Sequence, residues 1–309
     1  MNTIFPARSR ESGLALIVAM LVAALAAAVA VSLARAQTQW AAEVAQRADG
    51  VQAQSIALAG VQWTRQIIGT GRAATYTHLG QPWALPLPPT PVDNGVVEGR
   101  IADAQGLLNV NNLANPAAAS FERLRASRLF ASLNLPPALL AAVIDWVDAD
   151  AIEEPGGAED DWYRSLSPPG IAPNMPAARI QELADVRGMT ARELASLMRF
   201  ATALPEPSPL NVNTAPPELL AASVDGVATD ALNALITSRT ARPFATIAEF
   251  RERLPPQATL VGNEAMYTVK SRYFLVLVRA RQGDAVAHAR ALIDSNGAGW
   301  PRVVWQTVE

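Results

Sequence analysis

The chain has 309 residues, half of them hydrophobic, and a net charge of −3, so it can build one large or two modest domains with a real core. It contains no cysteine, which excludes disulfides, zinc–thiolate sites and cysteine nucleophiles. The charge balance gives no basic footprint for nucleic acid. There are only two histidines, and no G-x-S-x-G, P-loop or G-x-G-x-x-G motif. We therefore expect a protein that is not an enzyme.

The first element is an apolar run from Leu14 to Ala34, closed by Arg35. At 1.5 Å per residue, a helix of this length just crosses a hydrocarbon core of about 30 Å. Arg8 and Arg10 precede the run and favour a cytoplasmic N-terminus. Residues 14–35 are thus predicted to be the only membrane span, with the rest of the chain on the far side.

Three interpretations of this segment compete. It could be a plain signal anchor, or a secretory signal cleaved at Ala34-Arg35-Ala36, although the run is long for such a signal. In the third, Gly13 stands where the polar leader meets the apolar run. A short leader ending in Gly before Leu-Ala-Leu-Ile-Val resembles the prepilin-peptidase site of type IV pilins and type II secretion pseudopilins. That resemblance implies removal of residues 1–13 and a new N-terminus at Leu14.

Beyond the membrane, the helix is predicted to continue to Gly69, about 55 residues in all; two helices broken near Gly50 are the alternative. Apolar residues recur on one of its faces at three- and four-residue intervals, among them Trp40, Val44 and Val51. A proline-rich loop should follow from Tyr76 to Gly95, and a short strand from Val96 to Asp103. Residues 36–105 therefore form the helix, loop and first strand of one unit.

Residues 106–255 read as a helical block. Helices are predicted after Asn115, from Pro136-Pro137, and behind Thr190, Thr214 and Thr246 as N-caps. Two similar strings, Leu108-Asn-Val-Asn-Asn and Leu210-Asn-Val-Asn-Thr, each introduce a helical group and form a weak internal echo.

The period changes to that of strands in residues 256–309. Tyr267 to Ala280, Ala285 to Ile293 and Trp300 to Val308 alternate, with turns between them. A strand before the helical block and a meander after it predict one antiparallel sheet, covered by the N-terminal helix and interrupted by a helical domain. The fold class is α+β.

An acidic loop spans residues 145–161, with eight carboxylates in seventeen residues and no lysine or arginine. Like charges this close repel unless they are solvated, protonated or neutralised by a cation. A solvated loop and a glycosidase carboxylate pair are alternatives. Oxygen-only ligands with no nearby histidine or cysteine fit calcium, one or two ions, and the family resemblance described next also implies calcium. The predicted ligands are Asp148, Asp150, Glu159, Asp160 and Asp161.

The chain as a whole resembles the protein K family of type II secretion systems, the large minor pseudopilins. The resemblance rests on strings spread in order along the chain: Arg8-x-Arg-Glu-Ser-Gly, Gly106-Leu-Leu-Asn-Val-Asn, Asp145-Trp-Val-Asp-Ala-Asp, Pro155-Gly-Gly-Ala-Glu-Asp-Asp-Trp-Tyr, Val186-Arg-Gly-Met-Thr, Asn211-Val-Asn-Thr-Ala-Pro and Ser271-Arg-Tyr-Phe. The acidic string is the most specific of them.

This resemblance implies a pilin-like fold with a large inserted helical domain, bound calcium, and a position at the pseudopilus tip that helps to initiate assembly and export across the outer membrane. It implies an inner-membrane anchor, a periplasmic body, and as partners other minor pseudopilins, the major pseudopilin and the prepilin peptidase. Pilins of the fibre shaft carry Glu at the fifth mature position, where Val18 stands here. Val18 and the face of Trp40, Val44 and Val51 are the predicted partner contacts.

The alternative comes from residues 211–254, which resemble the helix-hairpin-helix modules of competence DNA receptors. Such hairpins bind phosphate through backbone N–H groups in a Gly-x-Gly turn. Here the turn reads Gly226-Val227-Ala228 between Asp225 and Asp230. Because a glycine is missing and two carboxylates are present, no nucleic-acid partner is expected.

Overall fold

The computed structural model describes residues 11–297 and 299–309, and the side chains from residue 13 onward. Its elements in chain order are α1 (Glu11–Gly71), β1 (Leu87–Val92), β2 (Gly95–Asp103), β3 (Leu108–Asn109), α2 (Ala119–Ser132), α3 (Pro137–Val147), α4 (Asp160–Arg164), α5 (Ala191–Leu197), β4 (Ala201–Thr202), β5 (Leu210–Asn211), α6 (Pro217–Ser223), β6 (Val224–Asp225), α7 (Thr229–Ala241), α8 (Ile247–Glu252), β7 (Thr259–Leu260), β8 (Tyr267–Thr268), β9 (Tyr273–Gln282), β10 (Ala285–Asp294) and β11 (Arg302–Val308). Short 3-10 turns connect several of them.

The N-terminal helix α1 is continuous over 61 residues, so the single predicted helix is confirmed and the break at Gly50 is wrong. Its part from Gly13 onward is long and apolar enough to cross a membrane. Most of the predicted leader, residues 1–10, lies outside the described residues.

The second half of α1 covers an antiparallel sheet, as predicted. The sheet has five strands, in the order β1-β2-β9-β10-β11. The helix buries Ala53, Ile56, Ala57, Val61 and Ile68 against inward residues of the central strands. The face with Trp40, Val44 and Val51, predicted to contact partners, stays exposed. Ala53 and Ala57 let the helix backbone approach the sheet closely, and the larger Ile56, Val61 and Ile68 pack beside them.

The strand β1 corrects the predicted proline-rich loop. Residues 87–92 pair with β2 in an irregular register, with a shift between Leu87 and Thr90. Proline cannot donate a ladder hydrogen bond, so it is tolerated only at a sheet edge or a bulge. The strand β1 lies at the edge of the sheet and also contains the register irregularity.

The helical domain is inserted between two neighbouring strands of this sheet, β2 and β9. The insertion extends further than the predicted boundary at residue 255. The short strand β7 pairs with β6, and β8 pairs in parallel with β5, so residues 256–272 pack with the helices. The first strand of the meander proper begins at Tyr273.

The two echo strings play matching structural roles within the insertion. In the first copy, Asn111 Nδ2 donates to Ala177 O at 2.9 Å and its Oδ1 accepts from Ala177 N at 2.9 Å. In the second copy, Asn213 makes the same pair of bonds to Phe244, at 2.9 and 2.8 Å. Each asparagine thus fixes a distant loop to the start of its own helical group.

A buried polar junction joins the insertion to the sheet. Asp103, at the end of β2, accepts hydrogen bonds from Ser271 Oγ and Thr214 Oγ1, both at 2.6 Å, and from Asn211 Nδ2 at 2.9 Å. Burial raises the pKa of the Asp103 carboxyl, and these hydrogen bonds oppose the rise. Thr214 was predicted to cap α6; it bonds Asp103 instead, and α6 has no side-chain cap.

Candidate metal centre

The acidic loop is folded back on itself by Asp145, in the last turn of the buried helix α3. Its carboxylate accepts from Glu154 N at 3.0 Å and from Ala158 N at 2.7 Å. A Cβ built on Gly157 would lie 1.9 Å from Asp145 Oδ2, so only glycine fits at that position. These hydrogen bonds hold the start and the end of the acidic loop close together.

Three carboxylates converge there. Each of Asp148, Asp150 and Glu159 offers one oxygen, and these oxygens all lie within 4.8 Å of one another. Asp148 and Glu159 are buried, whereas Asp150 is exposed. Asn174 closes the cluster: its Nδ2 donates to Asp150 O at 2.8 Å and to Glu159 Oε2 at 3.1 Å. We call these four residues the acidic cluster.

The carboxylates of the acidic cluster outnumber the positive charges beside them. Burial, followed by the charges of Asp150 and Asp145, raises the pKa of Asp148 to about 6. Burial also raises the pKa of Glu159. Arg123 is the nearby cation, 3.7 Å from Asp148 Oδ2, and it also pairs with Glu154. The negative charge of the cluster is therefore only partly compensated.

Three oxygens of the acidic cluster are buried without a hydrogen-bond partner: Asp148 Oδ1, Glu159 Oε1 and Asn174 Oδ1. A buried acceptor without a partner costs about 1–3 kcal/mol. Carboxylate and amide oxygens are the ligands that calcium prefers, in flexible geometry. The three converging carboxylates of Asp148, Asp150 and Glu159 therefore fit a calcium ion.

Two predicted ligands lie apart from the acidic cluster. Asp160 Oδ1 accepts from Ala172 N at 2.9 Å, and its Oδ2 is paired with Arg164. The Asp161 side chain is fully exposed and lies 3.5 Å from Arg164. Both carboxylates are in the first turn of α4, one turn before that arginine, so the helix holds them outside the cluster.

Asn174 was missed in the sequence. It lies fifteen residues after Glu159 in a loop between prolines, with a positive φ of 45°. Its amide is adjacent to the carboxylates only because the loop folds back over α4, and nothing in the local pattern signals this.

The predicted partner contacts are exposed along α1. Val18 is 53% exposed, Trp40 68%, Val44 45% and Val51 65%. At about 100° per residue, Val51 lies about 200° around the helix from the buried Ala53. Trp40 and Val44 share the Val51 face, so these side chains face away from the sheet. Gly13 and Leu14 also lie in exposed helix.

The helix-hairpin-helix-like part has a closed turn. A Cβ built on Gly226 would lie 2.6 Å from Gln257 O, so the turn packs against the chain that follows α8. Asp225 pairs with Arg128 at 2.8 Å. The turn therefore packs against residue 257 on one side and lies beside a carboxylate held in an ion pair.

Comparisons with known proteins agree with this architecture. Two family models, both described as type II secretion system (T2SS) protein K, match residues 106–206 and 210–270. The type II secretion system protein K of Aeromonas hydrophila is 33% identical over 236 residues, which cover 70% of this chain and 71% of the relative. That of Pectobacterium carotovorum subsp. carotovorum is 30% identical over 239 residues, covering 72% and 73%.

A solved structure supports the fold. The chain is similar to one in the crystal structure of the GspK–GspI–GspJ complex from the enterotoxigenic Escherichia coli type 2 secretion system, with a TM-score of 0.73, 24% sequence identity, and coverage of 89% of this chain and 99% of that one. The pilin-like fold with an inserted helical domain is thereby confirmed. The chain belongs to the type II secretion system protein K family.

Proposed function

We propose that this chain is a minor pseudopilin at the tip of a type II secretion pseudopilus, where it helps to start assembly and so supports protein export across the outer membrane. In this role it is a structural subunit and catalyses no reaction. Family membership supports the secretion role. The placement of the insertion on the sheet carries the proposal of a tip position.

The insertion lies at the end of the sheet farthest from the membrane segment. At the near end, Gly283 in the β9–β10 turn contacts Asp49, early in the soluble half of α1. At the far end, beyond the last turn of α1, Thr77 N donates to Val269 O at 2.7 Å, and Ser271 N donates to Thr77 Oγ1 at 3.0 Å. In a fibre of parallel helices, the insertion occupies the space of the next subunit above, which suits a terminal subunit.

The membrane segment supports the same position. A shaft subunit uses a Glu at its fifth mature residue to meet the terminal amine of a neighbour. A carboxylate without that partner would cost several kcal/mol in the bilayer. Val18 carries no charge, as suits a subunit with nothing above it.

The apolar first half of α1 supports a membrane anchor. We propose that it spans the inner membrane once, with a cytoplasmic N-terminus and a periplasmic body, after the prepilin peptidase has cut between Gly13 and Leu14. Intact-mass analysis of membrane-extracted protein should then give a chain beginning at Leu14. A mature chain beginning at Met1 or Gln37 would contradict this processing.

Partners below are held by the outward face of α1. Trp40, Val44 and Val51 are exposed apolar side chains, opposite the face that packs on the chain's own sheet. The similar solved chain is part of a complex with GspI and GspJ. We propose that this face contacts other minor pseudopilins and, further down the fibre, the major pseudopilin.

The acidic cluster is proposed to bind calcium through Asp148, Asp150, Glu159 and the amide oxygen of Asn174. Three buried oxygens without partners support this assignment. The ion would tie the end of α3 to the loop that precedes α5, and so stiffen the first half of the insertion.

Quantitative mass spectrometry of sheared pseudopili tests the tip position.

A further inference from the structure

The outer face of the sheet, opposite α1, bears a regular grid of side chains. Strand pairing sets its three rows across β2, β9 and β10. From the membrane-near end, the rows are Val96–Arg281–Val286, Glu98–Arg279–His288 and Arg100–Leu277–Arg290. Neighbours across an antiparallel pair lie about 5 Å apart, so the nine side chains form one continuous surface. We call it the arginine face.

The arginine face is positively charged on a protein of net charge −3. Its four arginines and His288 are all exposed. Glu98 pairs with Arg279 at 2.8 Å. Across from His288 lies Glu309, joined to it by a backbone hydrogen bond of 2.7 Å. Among the described residues, Arg100, Arg281 and Arg290 take part in no ion pair, so arginines outnumber carboxylates on this face.

We infer that the arginine face is a docking surface for an acidic surface of a partner protein. Guanidinium groups bind carboxylates in a bidentate manner, and complementary charge sets both orientation and association rate. Leu277 lies between Arg100 and Arg290, and Val286 is 42% exposed beside Arg281. Apolar side chains among arginines are typical of protein interfaces.

An anionic lipid surface is the less suitable occupant. The membrane-near end of the sheet lies at the level of Asp49, fourteen residues beyond Arg35. That is about 21 Å along the helix. The Debye length at physiological ionic strength is about 8 Å, so headgroup charges are screened before they reach the arginine face.

The test uses the full chain in nanodiscs of neutral lipid and a fluorescein-labelled octaglutamate peptide as the probe. The face variant carries Arg100→Gln, Arg281→Gln and Arg290→Gln. The control variant removes the same charge from exposed arginines of the insertion, Arg179, Arg192 and Arg199, also replaced by Gln. Fluorescence anisotropy at 50 mM and 150 mM salt measures the peptide affinity, and sedimentation with phosphatidylglycerol vesicles measures lipid binding.

The peptide should bind the wild-type chain, and its affinity should fall at least tenfold in the face variant and less than twofold in the control. The slope of affinity against salt should also decrease in the face variant alone. An equal loss of peptide affinity in both variants would show that binding depends only on the net charge of the protein, and would overturn the inference. So would vesicle binding that depends on the three arginines while peptide binding does not, or no peptide binding at either salt concentration. The arginine face is distinct from the acidic cluster and does not depend on the tip position.

Discussion

Removing calcium is the most informative perturbation of the acidic cluster. Three buried oxygens lack partners, and at the low end of the cost, about 1 kcal/mol each, a cation could recover about 3 kcal/mol. Ligand linkage gives a similar figure, about 2.7 kcal/mol at a hundredfold excess of calcium over its dissociation constant. For a unit of 150–250 residues, that stabilisation raises Tm by roughly 5–11 °C.

The variants separate binding from folding. Glu159→Gln removes one buried carboxylate of the acidic cluster, so it should abolish most of the calcium-dependent rise in Tm. Because it also relieves repulsion with Asp148, the Tm in EDTA should be unchanged or slightly higher. Asp161→Asn is the matched control: its side chain is fully exposed and outside the cluster, so it should keep the full rise.

Thermal unfolding of the detergent-solubilised chain, followed by tryptophan fluorescence with EDTA and with excess calcium, measures these shifts. Magnesium serves as a second control, because it requires a tighter octahedral site. If EDTA leaves the wild-type curve unchanged, or if Asp161→Asn loses the rise as fully as Glu159→Gln, the assignment of the cluster is refuted.

Three further substitutions test the packing of α1 and the buried junction. A Cβ on Gly60 would lie 2.8 Å from Val278 Cγ1, whereas one on Gly50 has no neighbour within 4 Å. In urea unfolding, Gly60→Ala should therefore lower the free energy of unfolding by about 1–3 kcal/mol, and Gly50→Ala should raise it by about 0.5–1 kcal/mol; equal effects would contradict the described contact. Asp103→Ala removes the acceptor of Gln105 N, Ser271 Oγ, Thr214 Oγ1 and Asn211 Nδ2. Asn211 Nδ2 keeps Ser271 Oγ as an acceptor, so three donors lose theirs and the substitution should cost about 3 kcal/mol in the same assay; a loss below about 1 kcal/mol would show that the junction is not held by this carboxylate.

Much of the fold could be predicted from periodicity. The long helix, the strand at residues 95–103 and the terminal meander all have strong 3.6- or 2-residue patterns. The helix face in contact with the sheet was not identified from the sequence, because large apolar residues such as Trp40 and Val51 outweigh Ala53 and Ala57 in such a pattern. The packed face combines those small residues with Ile56 and Val61.

Other errors came from long-range partners. Thr214 is suited to cap a helix, but a buried carboxylate more than a hundred residues away takes its hydroxyl. The proline-rich strand β1 forms only because β2 offers it an edge. The local sequence around Thr214 and β1 therefore could not reveal these two partners, Asp103 and β2.

The convergence of the acidic cluster was predicted in part, and calcium binding to it stays a prediction. The acidic string contains Asp148, Asp150 and Glu159, and the structure brings those three together. Asp160 and Asp161 seemed equivalent to Glu159 in the sequence. However, α4 begins at Asp160, directly after Glu159, and the helix places the carboxylates of Asp160 and Asp161 beside Arg164. The run of acidic residues therefore predicts that carboxylates converge in this loop, but not which of them do so.

The tip position is tested most directly by counting subunits. Pseudopili sheared from cells should be quantified by mass spectrometry against isotope-labelled standards for this chain and for the major subunit. A subunit confined to the tip should be present at about one copy per fibre, whatever the fibre length, because in the proposed arrangement the insertion on the membrane-distal end of the sheet would block stacking. A copy number that rises with fibre length and approaches that of the major subunit would contradict the proposed position.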